Sequence, residues 1–572
     1  MTDAPYPNIE NAAPRWSIRN FLLRIRTEHV VVTLAILLLL VFVVYPYGLM
    51  LKKSIFTKTG DFTLENIKEA IASGDVFLEP LLNSLSISFF VTLICLLIAM
   101  PFAYLVSKTD LPFKKLISIG LIVPYILPSY GLSMSWILLF SRNGVLEFFL
   151  GKELHLTVYG YWAIVTIQAI HIYPFAFILL TNAYAQLNQE LFDAGRILGA
   201  DKRYVLRRIT IPLLAPAIMS SAILVFAYAM AEFAPAMLLG GPEGIYVLTT
   251  QIWSFTTVFP TNLPMAAILA IALMLCTLTV LTSNQIYLAR RKFTTVTGKA
   301  SRIEIISLGK WKYAALAGCF IFLFFVIILP LFTLLLGATI DIWGKGYALG
   351  NLTLNHFKEV LFEQEDYKRS ILNVFSLGVS AGAVAVVIGM VISYFIIRSR
   401  KAASRALNLV AFIPFVIPGI VIGIGLILAF TRPPLALYGT IWMLLVGYVI
   451  RFLPIVTSSG TAAFRQIDEE LEDAGRIFGA SWIKTQIKIL FPILKSPLIG
   501  AWLLVFVSVM KEVSMASIVW SPGTEVAPVM ALIAFADGEF SQAVSLSCIM
   551  IAVVLVGTWL AVKIGAVKFV ET

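Results

Sequence analysis

Twelve apolar stretches recur along this chain, at about 30–50, 82–106, 116–141, 157–182, 211–239, 263–288, 313–337, 371–397, 405–430, 438–459, 490–518 and 543–566. Hydrocarbon offers no water to a peptide group, so a segment that crosses it satisfies its own backbone as a helix. At 1.5 Å per residue, about 20 residues cross a core of ~30 Å. The charged fraction is 13% and the hydrophobic fraction 59%; a soluble domain has about 25% charged residues. We therefore expect an all-α membrane protein with about twelve transmembrane helices. The first stretch, VVVTLAILLLLVFVVY, outruns a signal-peptide core and has no small-residue cleavage site after it, so it reads as an uncleaved span.

The net charge of +11 is not a nucleic-acid footprint, because of where it lies. Arg15, Arg19, Arg24 and Arg26 precede the first stretch, and Lys108, Lys114 and Lys115 follow the second. Further basic clusters fall at 196–208, 290–312 and 398–405, and Lys563 and Lys568 close the chain. With twelve spans, all these segments share one side, which the positive-inside rule makes cytoplasmic, together with both termini. The opposite segment 51–80 mixes Lys52 and Lys53 with Asp61, Glu65, Glu69, Asp75 and Glu79. The four cysteines lie inside apolar stretches and the four histidines are scattered. That spacing offers neither a disulfide framework nor a metal cage.

The chain is internally duplicated. ELFDAGRILGA at 190–200 returns as ELEDAGRIFGA at 470–480. Asp473 against Asp193 gives an offset of 280 residues, shared by Pro174 and Pro454, Gly199 and Gly479, Pro212 and Pro492, Glu232 and Glu512, and Pro242 and Pro522. Upstream the offset is 290, pairing Asn83 with Asn373, Pro124 with Pro414 and Pro128 with Pro418. Two six-helix halves of equal topology follow, parallel because each has an even number of spans.

The repeated loop lies on the expected cytoplasmic side, between the fourth and fifth spans of each half. Its apolar spacing predicts a helix over Gln189–Leu198, with Gly199 at the C′ position where a positive φ is needed. Asp201 and Ser481 suit the N-cap of a second short helix, and Pro212 and Pro492 stand where that helix meets the membrane. Small residues let another surface approach, and Asp193 and Arg196 can fix its register. The plainer alternative is a solvated helical hairpin.

DAGRILGADKRYVLRRITIPLL and DAGRIFGASWIKTQIKILFPIL resemble the EAA loop of bacterial ABC-importer permeases, roughly E-A-A-x-x-x-G, about nine residues, then I-x-L-P. Asp193 and Asp473 replace the family's Glu, and Gly195 and Gly475 its frequent Ala; Gly199, Gly479, Pro212 and Pro492 match the pattern. Since both halves carry it, the chain resembles a fused pair of type I importer permeases in the bacterial inner membrane. The expected layout is a cytoplasmic segment 1–29, a repeat at 30–290, a linker at 291–312 and a repeat at 313–572. The resemblance implies that Asp193, Ala194, Gly195, Arg196 and Gly199, with Asp473, Ala474, Gly475, Arg476 and Gly479, couple to a cytoplasmic ABC ATPase dimer. ATP and Mg would be bound by that partner and no cofactor by this chain, which has no GxxxxGK[ST] sequence. A periplasmic binding protein would deliver the substrate.

AEFAPAMLLGGPEGIYVLTTQIW and KEVSMASIVWSPGTEV resemble ferric-iron permeases. Fused thiamine permeases share the layout with less likeness, and phosphonate, sugar-phosphate and polyamine permeases are relatives. Glu232 and Glu512 are intramembrane acids. They read either as part of the translocation path or gate, or as ion-paired struts with Lys511 as partner. The prolines of VPYILP and IPFVIP break the third spans, either to line a cavity or as packing kinks. His171 reads as a satisfied buried side chain. An ion-coupled secondary transporter is the alternative class; it needs ionisable groups near the midplane, and few are visible.

Overall fold

The computed structural model describes residues 27–56, 61–153, 158–187, 197, 199, 201–290, 305–399 and 401–565. Every expected stretch has its helix. The first half holds α1 (Val30–Ile55), α2 (Gly74–Lys108), the broken α3 (Lys114–Ile126 and Ser129–Leu150), α4 (Tyr161–Ala185), α5 (Arg207–Ala231) and α6 (Leu263–Ser283). The second holds α7 (Trp311–Thr339), α8 (Glu365–Arg398), the broken α9 (Ser404–Val416 and Gly419–Phe430), α10 (Ile441–Phe464), α11 (Trp482–Met510) and α12 (Phe540–Lys563). The protein is thus an all-helical membrane protein of two repeats, with ten continuous spans and two bent ones among the described residues.

Two spans are shorter than expected. α5 stops at Ala231, not 239, and α11 at Met510, not 518. Glu232 takes an extended backbone (φ −70°, ψ 140°) that ends the helix. The apolar sequence beyond it forms the short helices Ala234–Gly240 and Leu248–Thr257, matched by Ala516–Val519 and Ala527–Ala536 in the second half. These pieces are apolar because protein covers them, a setting that hydropathy cannot tell from lipid.

Proline sets the breaks. α3 turns by 95° and α9 by 108° at the residues before Ser129 and Gly419. Pro128 has no N–H to donate four residues back and forces Leu127 into an extended conformation (ψ 143°). Elsewhere the chain absorbs proline without breaking. Single π-turns at Leu206–Thr210 and Gln486–Leu490 lead into the helices that carry Pro212 and Pro492 near their starts.

The halves exchange their first helices. α1 packs on α6 of its own half and on the outer arm of α9; α7 packs on α12 and on the outer arm of α3. Pro46 sits 3.1 Å from where a Cβ of Gly425 would be, so glycine there lets α1 pack closely on α9. The repeated asparagines fasten the re-entrant segments. Asn83 Nδ2 donates to the carbonyl of Tyr246 (2.9 Å), and Asn373 Nδ2 to that of Glu525 (2.9 Å).

The end of the inter-half linker is pinned to the α2–α3 loop. Asp110 Oδ1 accepts the Leu308 amide at 2.7 Å and Oδ2 the Ser307 hydroxyl at 3.0 Å. The Leu308 amide, chiefly, holds the Asp110 carboxyl below the usual carboxylate range. Its folded value lies below the unfolded one of about 4, so the pin stabilises above that pH and is lost as pH falls through the folded value. Asp110→Ala is expected to speed hydrogen exchange of the Leu308 amide while leaving that of Ile306, which donates to Lys108, unchanged. Equal rates for Leu308 in both proteins would dismiss the pin.

Candidate functional site

The backbone of the second copy of the repeated loop is described throughout. Glu470–Ile477 forms a helix, and Gly479 follows with φ +76°. The Ala480 amide closes back on the Gly475 carbonyl at 2.9 Å, satisfying a helix-end acceptor as expected. Ser481 Oγ caps the next helix by accepting the Lys484 amide at 3.4 Å. In the first copy Gly199 has φ +81°, and Asp201 Oδ1 accepts the Tyr204 amide at 2.8 Å. Both glycines therefore have the positive φ that the sequence calls for, and both caps are where the sequence places them. Asp193, Ala194, Gly195 and Arg196, and the helix expected over Gln189–Leu198 apart from Ile197, lie outside the described residues.

The small residues divide their work. A Cβ on Gly475 would stand 2.9 Å from Ile489 Cδ1. Gly475 therefore admits the loop's own second helix, not an outside surface. Ala474 is exposed, and with Leu471, Ile477 and Phe478 it makes an apolar ridge toward solvent. An open groove of about 370 Å³ runs beside it, with Lys484 and Lys488 on its rim. Phe478, 89% exposed, is one of two positions where the repeated segments differ, Leu198 being its counterpart; the other sets Glu472 against Phe192. Asp473 also lies on the exposed side of this helix.

A buried ion pair fixes the loop to α8. Arg398 Nε lies 2.8 Å from Glu472 Oε1, and Tyr394 donates to Glu472 Oε2 at 2.9 Å. Arg398 also donates to Glu469 (3.2 Å) and to the Ile467 carbonyl (3.0 Å). The side chains are 13% and 5% exposed for Arg398 and Glu472. In the first half Lys108, the counterpart of Arg398, donates to the Leu187 carbonyl (3.3 Å), the counterpart of Ile467. Each half thus holds its loop through a cation at the end of its second span. The sequence reading missed this anchor, although a basic residue at the same register of both repeats was its visible sign.

A second constellation gathers where α3 and α9 break. Glu512 is 5% exposed. Its carboxylate accepts the amides of Met515 (2.8 Å) and Ala516 (3.1 Å) and stands 3.6 Å from Arg451 Nε. Glu232 faces the hydroxyl of Ser129, the first residue beyond the α3 break. Lys511 is not the ion-pair partner of Glu512. It reaches into the other half, where Nζ donates to the Tyr125 carbonyl at 2.9 Å and lies 4.4 Å over the Tyr125 ring. His171 Nδ1 is 3.0 Å from the Pro124 carbonyl, the acceptor that Pro128 cannot serve; a carbonyl only accepts, so Nδ1 carries the proton. Arg451, the counterpart of His171, lies against Gly419, where a Cβ would be 1.8 Å from Nη1.

Two carboxylates and two cations therefore meet between the halves, more ionisable groups than the apolar sequence led us to expect. Arg451 went unread, though a lone charge inside YVIRFLPIV is a sign of an interior or cavity position.

The family model "Binding-protein-dependent transport system inner membrane component" matches residues 92–294 and 385–565, once per repeat. The chain is 27% identical over 530 residues to the ferric transport system permease protein FbpB of Actinobacillus pleuropneumoniae, covering 91% of this chain and 76% of the relative. It is 27% identical over 487 residues to the putative ferric transport system permease protein FbpB 1 of Haemophilus influenzae, covering 84% and 76%. The spermidine/putrescine transport system permease protein PotB of Salmonella typhimurium is 29% identical over 234 residues, covering 38% of this chain and 80% of its own.

Removing one partner of a buried ion pair costs about 3–5 kcal/mol, because the other charge stays buried. Glu472→Ala is expected to lower the thermal unfolding midpoint clearly in detergent, and Glu469→Ala, at the exposed contact, far less. Equal shifts would show that burial of the Glu472–Arg398 pair is not what anchors the loop.

Proposed function

Since the chain belongs to the family of binding-protein-dependent transport system inner membrane components, the permease subunits of ABC importers, we propose that its cargo is ferric iron, carried inward by alternating access. The observation that carries the cargo is the extent of the likeness. Similarity to the two ferric transport permeases runs through both repeats, over 91% and 84% of the chain, whereas the polyamine relative covers 38%. The chain is a multi-pass inner-membrane transport component. In our reading both termini are cytoplasmic, 1–29 precedes the first repeat (30–290), and 291–312 links it to the second (313–572).

The two loops dock a cytoplasmic ATPase dimer, one nucleotide-binding domain to each, and a periplasmic binding protein delivers the iron. ATP and Mg act on that ATPase. Leu471, Ala474 and Phe478 offer the apolar knob, and Asp473 and Arg476 set its register; Asp193, Ala194 and Arg196 do the same in the first copy. Closure of the ATPase draws the loops together and rocks the halves about their seam, where Glu232 and Glu512 form part of the path or its gate. The acids suit a cationic cargo.

Valine at Gly199 and Gly479 must adopt a positive φ, which costs about 1–2 kcal/mol per site. The double variant Gly199→Val, Gly479→Val should still insert and fold, yet co-purify with much less ATPase. Its ⁵⁵Fe uptake in cells should drop about tenfold or more, a 1.4 kcal/mol effect. Undiminished uptake would remove the docking role. Wild-type uptake of iron that is fully blocked by spermidine would transfer the cargo to polyamines.

A further inference from the structure

Beside the ion pairs lies a set of oxygen donors that the duplication does not repeat. The hydroxyls of Tyr125 and Tyr228 are 3.2 Å apart. Phe175 braces both rings, at 6.2 and 6.0 Å between centroids. Glu232 follows Tyr228 by four residues and caps the end of α5, close enough for its charge to act on both phenols. Tyr228 keeps 37% of its surface open, so its side chain is not packed shut. The counterparts of the two tyrosines in the second half are Phe415 and Ser508, so the phenols belong to one side only.

The two carboxylates are also unequal. Glu512 is committed to two amides and Arg451. Glu232 faces the Ser129 hydroxyl and shares the charges of Lys511 and Arg451, with Glu512 opposing them; among the described residues it accepts no backbone amides of the kind that hold Glu512. Phenol and carboxylate oxygens are hard donors and suit a small, highly charged cation. A cation already visits this place: the Lys511 ammonium lies over the Tyr125 ring and on its carbonyl. From the resting protein's side, that ammonium keeps a buried carboxylate compensated.

We propose that Tyr125, Tyr228 and Glu232 form a transient site for a trivalent cation within the membrane, and that Lys511 occupies it as a tethered cation until the cargo displaces it. The proposal rests on the ferric-iron reading above. Three protein donors hold the ion loosely enough to let it go, and the return of Lys511 completes the release. Tyr125 and Tyr228 would be specificity-determining residues, and Lys511 the competitor that sets residence time.

The test uses the whole complex, permease with its ATPase and binding protein, in proteoliposomes supplied with ferric iron on the binding protein. Tyr125→Phe with Tyr228→Phe should lower ⁵⁵Fe entry by about tenfold or more, while ATP hydrolysis stimulated by the loaded binding protein stays close to wild type. A merely structural role would lower both together, and that result, or iron entry at the full rate, would overturn the site. Lys511→Met should leave iron bound to the washed complex, measured by elemental analysis, where wild type retains little. No gain in bound iron would overturn the part given to Lys511. If wild type carries no iron at all, the cargo reading itself fails, an outcome distinct from a failure of the variants alone.

Discussion

A carbonyl in hydrocarbon must find a donor, and where a proline takes the donor away the neighbouring helices have to supply one. Much of this protein is arranged around that demand. Pro128 leaves the carbonyl of Pro124 without its usual partner, and His171 from α4 takes it over. The next carbonyl, that of Tyr125, receives Lys511 from the opposite half. The break in α3 is thereby stabilised partly by its own repeat and partly by the other. A kink needed only for packing would not require an ammonium group brought across the seam. The charged cluster and the broken spans are one feature, in which backbone left open by proline draws ionisable side chains into the bilayer.

The duplication kept the frame and changed the chemistry. Prolines, cap residues and the two asparagine clamps recur at fixed offsets because they hold backbone, and both halves have the same backbone to hold. Side chains that face the seam or the solvent are free to differ. His171 is matched by Arg451, Tyr125 by Phe415, Lys108 by Arg398 and Leu198 by Phe478. Lys511 and Arg451 stand on the second half of the seam, and the Tyr125–Tyr228 pair on the first. A homodimeric permease could not do this, since each residue would appear on both sides. Fusion of the halves permits a lopsided passage while the outer scaffold stays pseudo-symmetric.

That division also explains what the sequence could show. Spans, breaks, C′ glycines and N-caps were legible because each follows from local chemistry: apolar length, a missing N–H, a positive φ, a hydroxyl or carboxylate at a helix start. The ends of α5 and α11 were not, because apolar residues that plug the protein interior look like residues that face lipid. Arg451 and the Tyr125–Tyr228 pair were overlooked for a different reason. Their meaning lies in contacts with residues distant in the chain, Arg451 with Glu512 and Tyr125 with Tyr228, and no single-residue pattern announces them. For Gly475 only the packing shows that Ile489 fills the space beside it.

The anchors make the second span of each half a candidate lever. α8 includes a helix of 34 residues, Glu365–Arg398, about 50 Å long at 1.5 Å per residue. At one end Arg398 grips the loop helix through Glu472. At the other, Arg369 binds Glu525 at 2.9 Å and Asn373 holds the carbonyl of the same residue. Glu525 belongs to the segment that begins with Glu512. One rigid rod therefore joins the loop to the neighbourhood of the charged seam, with a buried or half-buried ion pair at each joint. In the first half Lys108 and Asn83 tie α2 to the equivalent places through neutral carbonyls. A carbonyl lacks the full opposite charge of a carboxylate, so a single bond to it is weaker than a buried ion pair. A displacement of the loops would therefore reach the seam more faithfully through α8 than through α2, and Lys511 and Arg451 lie on that same second half.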